Sequence, residues 1–307
     1  RAQGVAHPAV AILGASRAGR RAPGACRQRP DACALVRRMS ILMSPAFLRR
    51  WLQSWRGTAP DPVDSSVWDR LADELPLLAG LTHEELARAR ALTAELLARK
   101  VITGAAGLEL DPATRIAVAA NACVPVLNLG LSWYRGWTQV IVYPDEFVTH
   151  QEYEDEAGVV HTGLEPRSGE SWSAGPLVLS WADVEASDRE TVWGHVVVHE
   201  VAHKLDMLHE GPNGFPPLHA DMDPREWARI WTRAYAALCD AVEREAEVLL
   251  DPYGAENPGE FFAVASEAFF VHPHDLEAAD ADLYRLLRQF YRQDPRERYE
   301  PAGAPGP

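Results

Sequence analysis

Apolar residues recur at helical spacing through most of the chain. Val192, Trp193, Val196, Val197 and Val201 put an apolar face on residues 187–210 (SDRETVWGHVVVHEVAHKLDMLHE), which predicts a helix. Ser187 with Glu190 three residues on reads as a capping box that starts it, and Gly211-Pro212 as its stop. Thr82-His83-Glu84-Glu85 starts another, carried on by Leu86, Ala89, Leu92, Leu96 and Leu97. Asp111-Pro112 introduces a buried helix over 114–124. Residues 227–250 are amphipathic, Asn257-Pro258-Gly259 opens a strongly apolar helix over 260–270, and a last helix covers 282–291. Strands are predicted at 140–143 (VIVY), ended by Pro144, and at 177–181 (LVLSW). A turn is expected at 104–107, a second at 169–176, and a solvated acidic loop at 152–156. This pattern predicts an α+β fold, mostly helical, with a small mixed sheet beside the helix of 187–210.

That helix is too apolar for a surface element, yet it contains His199, Glu200 and His203 in the order HExxH. Positions i and i+4 are neighbours on one helix face, so the two imidazoles can grip one metal ion. Glu200, one step round, can act on a water at that metal, which is the pattern of a zinc peptidase. A catalytic zinc wants a third protein ligand and an open position. His209 lies six residues after His203, but where the metzincin pattern has a bending Gly this chain has Asp206, so His209 is expected to stay on the helix and out of reach. Glu260 and Glu267 are two helical turns apart in an apolar helix, where buried acids need a partner or a metal. Glu260 in the first turn is the expected ligand. Glu267 is then expected to accept a hydrogen bond from a ligand His; the swapped assignment is the alternative. Asp206 either orients a ligand His or is a surface charge. Tyr253, seven residues before Glu260, can hydrogen-bond an oxyanion or simply pack in its turn. Strand 177–181 is a candidate edge for holding an extended peptide.

Charge and cysteine content narrow the setting. A net charge of −14 over 307 residues argues against direct nucleic-acid binding by the body of the protein. Four scattered cysteines with no CxxC pair fit a reducing compartment, which points to the cytoplasm. The most apolar run, 116–131, is interrupted by Asn121, Pro125 and Asn128, so no membrane span is expected. Residues 1–38 hold eight Arg against one Asp with no sustained period, and Met39 is the first methionine. Residues 1–62 are therefore read as a disordered or non-native extension carrying a short helix at 47–55 (FLRRWLQSW), 63–298 as the folded domain, and 299–307 as a flexible tail.

HEVAHKLD, followed by DPYGAENPGEFFAVASEAFF, together with GLTHEEL, PVLNLGL, VIVYPDEFV, SGESWSAGPLVLSW and QFYRQDP, resembles the Mlc titration factor A family of zinc-dependent peptidases over about residues 77–295. The resemblance implies a zincin-like, gluzincin-type fold with His199, His203 and Glu260 as zinc ligands, Glu200 as catalytic base and Tyr253 as transition-state donor. The spacing of Tyr253 and Glu260 is similar to that in the catalytic domain of anthrax lethal factor. It also implies aminopeptidase action on peptide substrates or, as the alternative, a regulatory protein that sequesters an Mlc-like transcriptional repressor with little proteolysis.

Overall fold

The computed structural model describes residues 63–145, 149–154, 160–165, 175–189, 194–209 and 211–299; the short helix expected at 47–55 and the basic segment 1–38 lie outside them. All fall within the compact unit Ala59–Pro307. Asp64 caps α1 (Ser65–Glu74), its carboxylate accepting from the amides of Ser66 and Val67. Thr82 and Glu85 form the expected capping box on α2 (His83–Arg99). Strand β1 (Val101–Gly104) follows directly, then α3 (Pro112–Cys123), whose residues from Ile116 onward are all buried.

β1 pairs in parallel with β2 (Gln139–Tyr143), Val101 opposite Gln139. The hairpin of β3 (Thr149–Glu154) and β4 (Val160–Glu165) is a separate antiparallel sheet. β5 (Leu177–Ser180) then pairs in parallel with β2, Val140 opposite Leu177, giving the order β1-β2-β5. The sheet beside the HExxH helix is thus wholly parallel rather than mixed. One face of this sheet is buried, through Ile102, Val140, Val142, Leu177 and Leu179, while the alternate positions of β1 and β2 are at least partly exposed. The acidic stretch 152–156 was expected as a loop, but Glu152–Glu154 belong to β3 because their backbone pairs with β4.

The predicted helix at 187–210 divides in two. Ser187 lies inside α4 (Trp181–Arg189), and its hydroxyl, instead of capping, donates to Asp183 O at 2.7 Å and accepts from the amide of Val196. The HExxH helix is α5 (Val196–Asp206), buried from Val197 to Asp206. It ends five residues before Gly211, in turns closed by the amides of Met207, Leu208 and His209.

Asp223 caps α6 (Pro224–Glu243), with Pro224 as its first residue; the left-handed backbone of Glu245 (φ 52°) ends it short of the predicted 250. Asn257 caps α7 (Pro258–Val271), and α8 (Pro273–Ala279) and α9 (Ala281–Tyr291) close the fold. Apart from Ser266 and Glu267, the α7 positions from Phe261 to Phe270 are apolar, and the helix is buried accordingly. Phe261 meets Trp231 of α6 edge-on at 4.9 Å, and Trp227 stacks on Trp231 at 5.1 Å. The principal neighbour of α5 is α7, and α5 also lies against β5 and α3. Tyr299, expected at the start of a loose tail, donates its hydroxyl to Pro76 O and accepts from His274. Among the described residues no helix is long and apolar enough to cross a membrane.

Candidate metal centre

α5 and α7 run side by side, His199 and His203 of one meeting Glu260 and Glu267 of the other. His199 and His203 face α7 one turn apart, with Nε2 atoms separated by 3.2 Å. Glu260 Oε2 closes a triangle, 3.2 Å from His199 Nε2 and 3.1 Å from His203 Nε2. Tetrahedral coordination with bonds of about 2.0–2.1 Å puts neighbouring ligand atoms about 3.3–3.4 Å apart, so the three donors fit a first-row divalent ion. They are also the one His/Cys/Asp/Glu group of this kind among the described residues. His209, by contrast, is exposed in the turn after α5, its ring 6.1 Å from that of Phe215, and takes no part in this group. The chain does leave the helix after Asp206, contrary to expectation, but the turn carries His209 away from the donors.

Local sequence aims Glu260. Asn257 Oδ1 accepts from the amides of Gly259 and Glu260, fixing Glu260 in the first turn of α7, where the helix dipole favours an anion. Burial works against its charge, but hydrogen bonds from His199 and His203 prevail and hold its pKa down to about 2. Glu267, two turns along, grips His199 from behind. Its Oε1 lies 2.6 Å from His199 Nδ1, and its Oε2 accepts from the amide of His195 at 2.6 Å. The bond to Oε1 puts the proton of a neutral imidazole on Nδ1 and leaves Nε2 free to bind metal. Burial disfavours a charged His199, yet Glu260 and then Glu267 raise its pKa well above the usual value. A field that holds a proton against burial also favours a metal cation in the proton's place.

Glu200 is 1% exposed, and its Oε2 has no hydrogen-bond partner among the described residues. Burial raises its pKa, although the neighbouring imidazoles oppose this. A buried carboxyl with one oxygen unpartnered beside three potential metal donors is suited to taking and returning a proton. Tyr253 sits half-buried on the turn Pro252–Ala255, its ring centroid 6.1 Å from that of His199; Asp251 accepts from its amide at 2.8 Å. Asp206 does not reach a ligand imidazole: its Oδ2 accepts from the amide of Gly214 at 2.7 Å. Gly214 needs its left-handed backbone (φ 74°), and a Cβ there would lie 2.7 Å from Pro258 O, so this loop is wedged against the start of α7.

Three further residues contribute beyond those expected from the sequence. Gly194 leaves space for Glu267, since a Cβ there would lie 2.4 Å from Oε2. His195 supplies its backbone amide. Lys204 is 2% exposed and reaches the carbonyls of Gly175 and Pro176; burial pulls its pKa down to about 8. The argument that singles out Glu267, a charge within an apolar helix, applies equally to Lys204. Nothing in the local pattern signals Gly194 or His195.

A family model described as glucose-regulated metallo-peptidase M90 matches residues 49–292. A protein named Mlc titration factor A from Edwardsiella ictaluri is 35% identical over 256 residues, spanning 81% of this chain and 95% of the relative. Its namesake from Yersinia enterocolitica is 36% identical over 252 residues, 81% of this chain and 92% of the relative. The Yersinia pestis protein of the same name is 35% identical over 256 residues.

Proposed function

As the chain belongs to the glucose-regulated metallo-peptidase family, alongside the Mlc titration factor A proteins, we propose that it is a zinc-dependent peptidase of gluzincin type that acts on short peptides in an aminopeptidase-like manner. The observation that carries this reading is the convergence of His199 Nε2, His203 Nε2 and Glu260 Oε2 beside the buried carboxyl of Glu200, whose Oε2 has no hydrogen-bond partner among the described residues. His199, His203 and Glu260 would hold the ion. Zinc bound there would supply Lewis acidity, polarising the scissile carbonyl and lowering the pKa of water to about 7.

The remaining chemistry belongs to side chains of this chain. Glu200 takes a proton from the attacking water and returns it to the leaving amine, a role suited to a carboxyl whose pKa burial has raised. The Tyr253 hydroxyl donates to the carbonyl oxygen as negative charge builds there. Glu267 keeps the His199 proton on Nδ1, and Asp206 steadies the loop at Gly214 rather than an imidazole. The outer edge of β5 pairs with the extended substrate backbone. A cytoplasmic setting is supported by the few scattered cysteines, of which Cys123 is buried with its pKa pushed up to about 12 by that burial.

The name of the relatives supports a second reading, a regulatory protein that binds an Mlc-like repressor. The buried Glu200 favours catalysis, because a binding surface has no use for a buried carboxyl with an unpartnered oxygen. Metal analysis with turnover of an alanyl chromogenic peptide separates the two. Wild type should hold zinc and cleave. Glu200→Gln should keep zinc while turnover falls about 10²–10⁴-fold, and Glu260→Ala should lose zinc. Full turnover by Glu200→Gln refutes the assignment, and zinc without any cleavage by wild type transfers support to the second reading.

A further inference from the structure

We propose that Lys204 is a positioning residue that ties the edge strand β5 to the metal-site helix and thereby sets where an extended peptide lies; this rests on the peptidase reading above. Lys204 directly follows His203 and is 2% exposed. Its Nζ donates to Gly175 O at 3.0 Å and to Pro176 O at 3.3 Å. These are the last two carbonyls before β5 begins pairing at Leu177. Pro176 has no amide hydrogen to donate and Gly175 has no side chain, so this segment has few bonds of its own to offer.

The direction of the anchor matters as much as its presence. Glu200 and Lys204 are four residues apart on α5, so they share one helix face. The side chain holding the approach to β5 therefore leaves the helix one turn beyond the proposed base. Among the described residues β5 pairs only with β2, as the outer strand of the order β1-β2-β5. A peptide added to the other edge takes its register from the strand. One residue of strand is about 3.3 Å, and a shift of about 1 Å between reacting groups costs about 10²-fold in rate. An apolar side chain would fill this volume without the desolvation cost of an ammonium. What the ammonium adds is a hold on two carbonyls.

The test uses the full-length, zinc-loaded protein with Lys204→Met and Lys204→Arg. Hydrogen exchange is followed over the segment containing Leu177–Ser180, and kcat/KM is measured on a hexapeptide and on an alanyl chromogenic substrate. Lys204→Met should keep its zinc, exchange that segment about tenfold faster, and lose about tenfold more kcat/KM on the hexapeptide than on the short substrate. Lys204→Arg, which keeps charge and donors, should recover most of both losses. Wild-type exchange with an unchanged ratio between the two substrates overturns the proposal. Should Lys204→Met not fold, the shorter, neutral Lys204→Gln serves in its place. A wild type that cleaves neither substrate sinks the peptidase reading instead, and the exchange rates then judge the anchor by themselves.

Discussion

Gly194→Ala should weaken metal binding without touching a ligand. Its added methyl would stand 2.4 Å from Glu267 Oε2 and 3.5 Å from the carboxyl carbon. Ordinary contact requires the oxygen to retreat by roughly 0.6–1 Å. That oxygen accepts from the His195 amide at 2.6 Å, and its twin lies 2.6 Å from His199 Nδ1. A retreat of this size brings one or both bonds to about 3.2 Å or beyond, the limit of a sound hydrogen bond. A side-chain carboxylate gives way more readily than backbone, so the strain should fall on the support of His199 and leave the fold intact. Losing a buried bond to a charged group costs about 1.5–3 kcal/mol, and loss of such support behind a ligand His weakens metal binding about 10–100-fold. Zinc affinity is to be measured by competition with a fluorescent chelator, with circular dichroism confirming the fold and Glu267→Gln as a parallel variant of the same shape. An affinity within about twofold of wild type, well inside that range, would refute the reasoning.

Tyr253→Phe should retain zinc and KM while kcat falls about 10²-fold, as when an oxyanion donor is removed; steady-state kinetics at wild-type kcat would return Tyr253 to a packing role. Asp206→Asn bears on pH. Burial raises the Asp206 pKa from 3.8 to about 7, against the hydrogen bond from Gly214. A carboxyl raised in this way contributes stability that is fully present below pH 3.8 and lost as pH rises through 7. Asn keeps an acceptor for Gly214 and removes the titration. Urea melts of metal-free protein between pH 4 and pH 8 should therefore show wild type losing stability relative to the variant, by at most about 4 kcal/mol; parallel pH profiles would contradict this.

The parts of the site that can be read from sequence are those written within one helix. His199, Glu200 and His203 lie within five residues, and helical spacing alone puts the two imidazoles together. Glu260 and Glu267 stand out as acids in an apolar segment, and Asn257 marks the helix start that aims the first of them. What remains hidden depends on contacts through space. The bond from the His195 amide to Glu267 spans 72 residues, and no local pattern signals it. Ser187 and Glu190 match a capping box, yet the Ser187 hydroxyl goes to Asp183 and Val196, because α4 has already formed and the chain breaks at Gly194. β1 escapes because four residues between a helix and a glycine turn carry too little alternation to read. Lys204 stands out as a charge in an apolar helix, but its partners, the carbonyls of Gly175 and Pro176, lie 29 and 28 residues away in the chain and no local pattern signals them.

The donors arrive at very different times during synthesis. His203 and Glu260 are 57 residues apart, with all of α6 between them. A ribosome finishes the two imidazoles well before it reaches the carboxylate, and a nascent chain holds only a two-coordinate fragment of the site. The donors come together when α7 emerges and docks, and an ion bound by them would then clasp the ends of a long loop, as a covalent cross-link would. On the peptidase reading, cleaving power is withheld from unfinished chains.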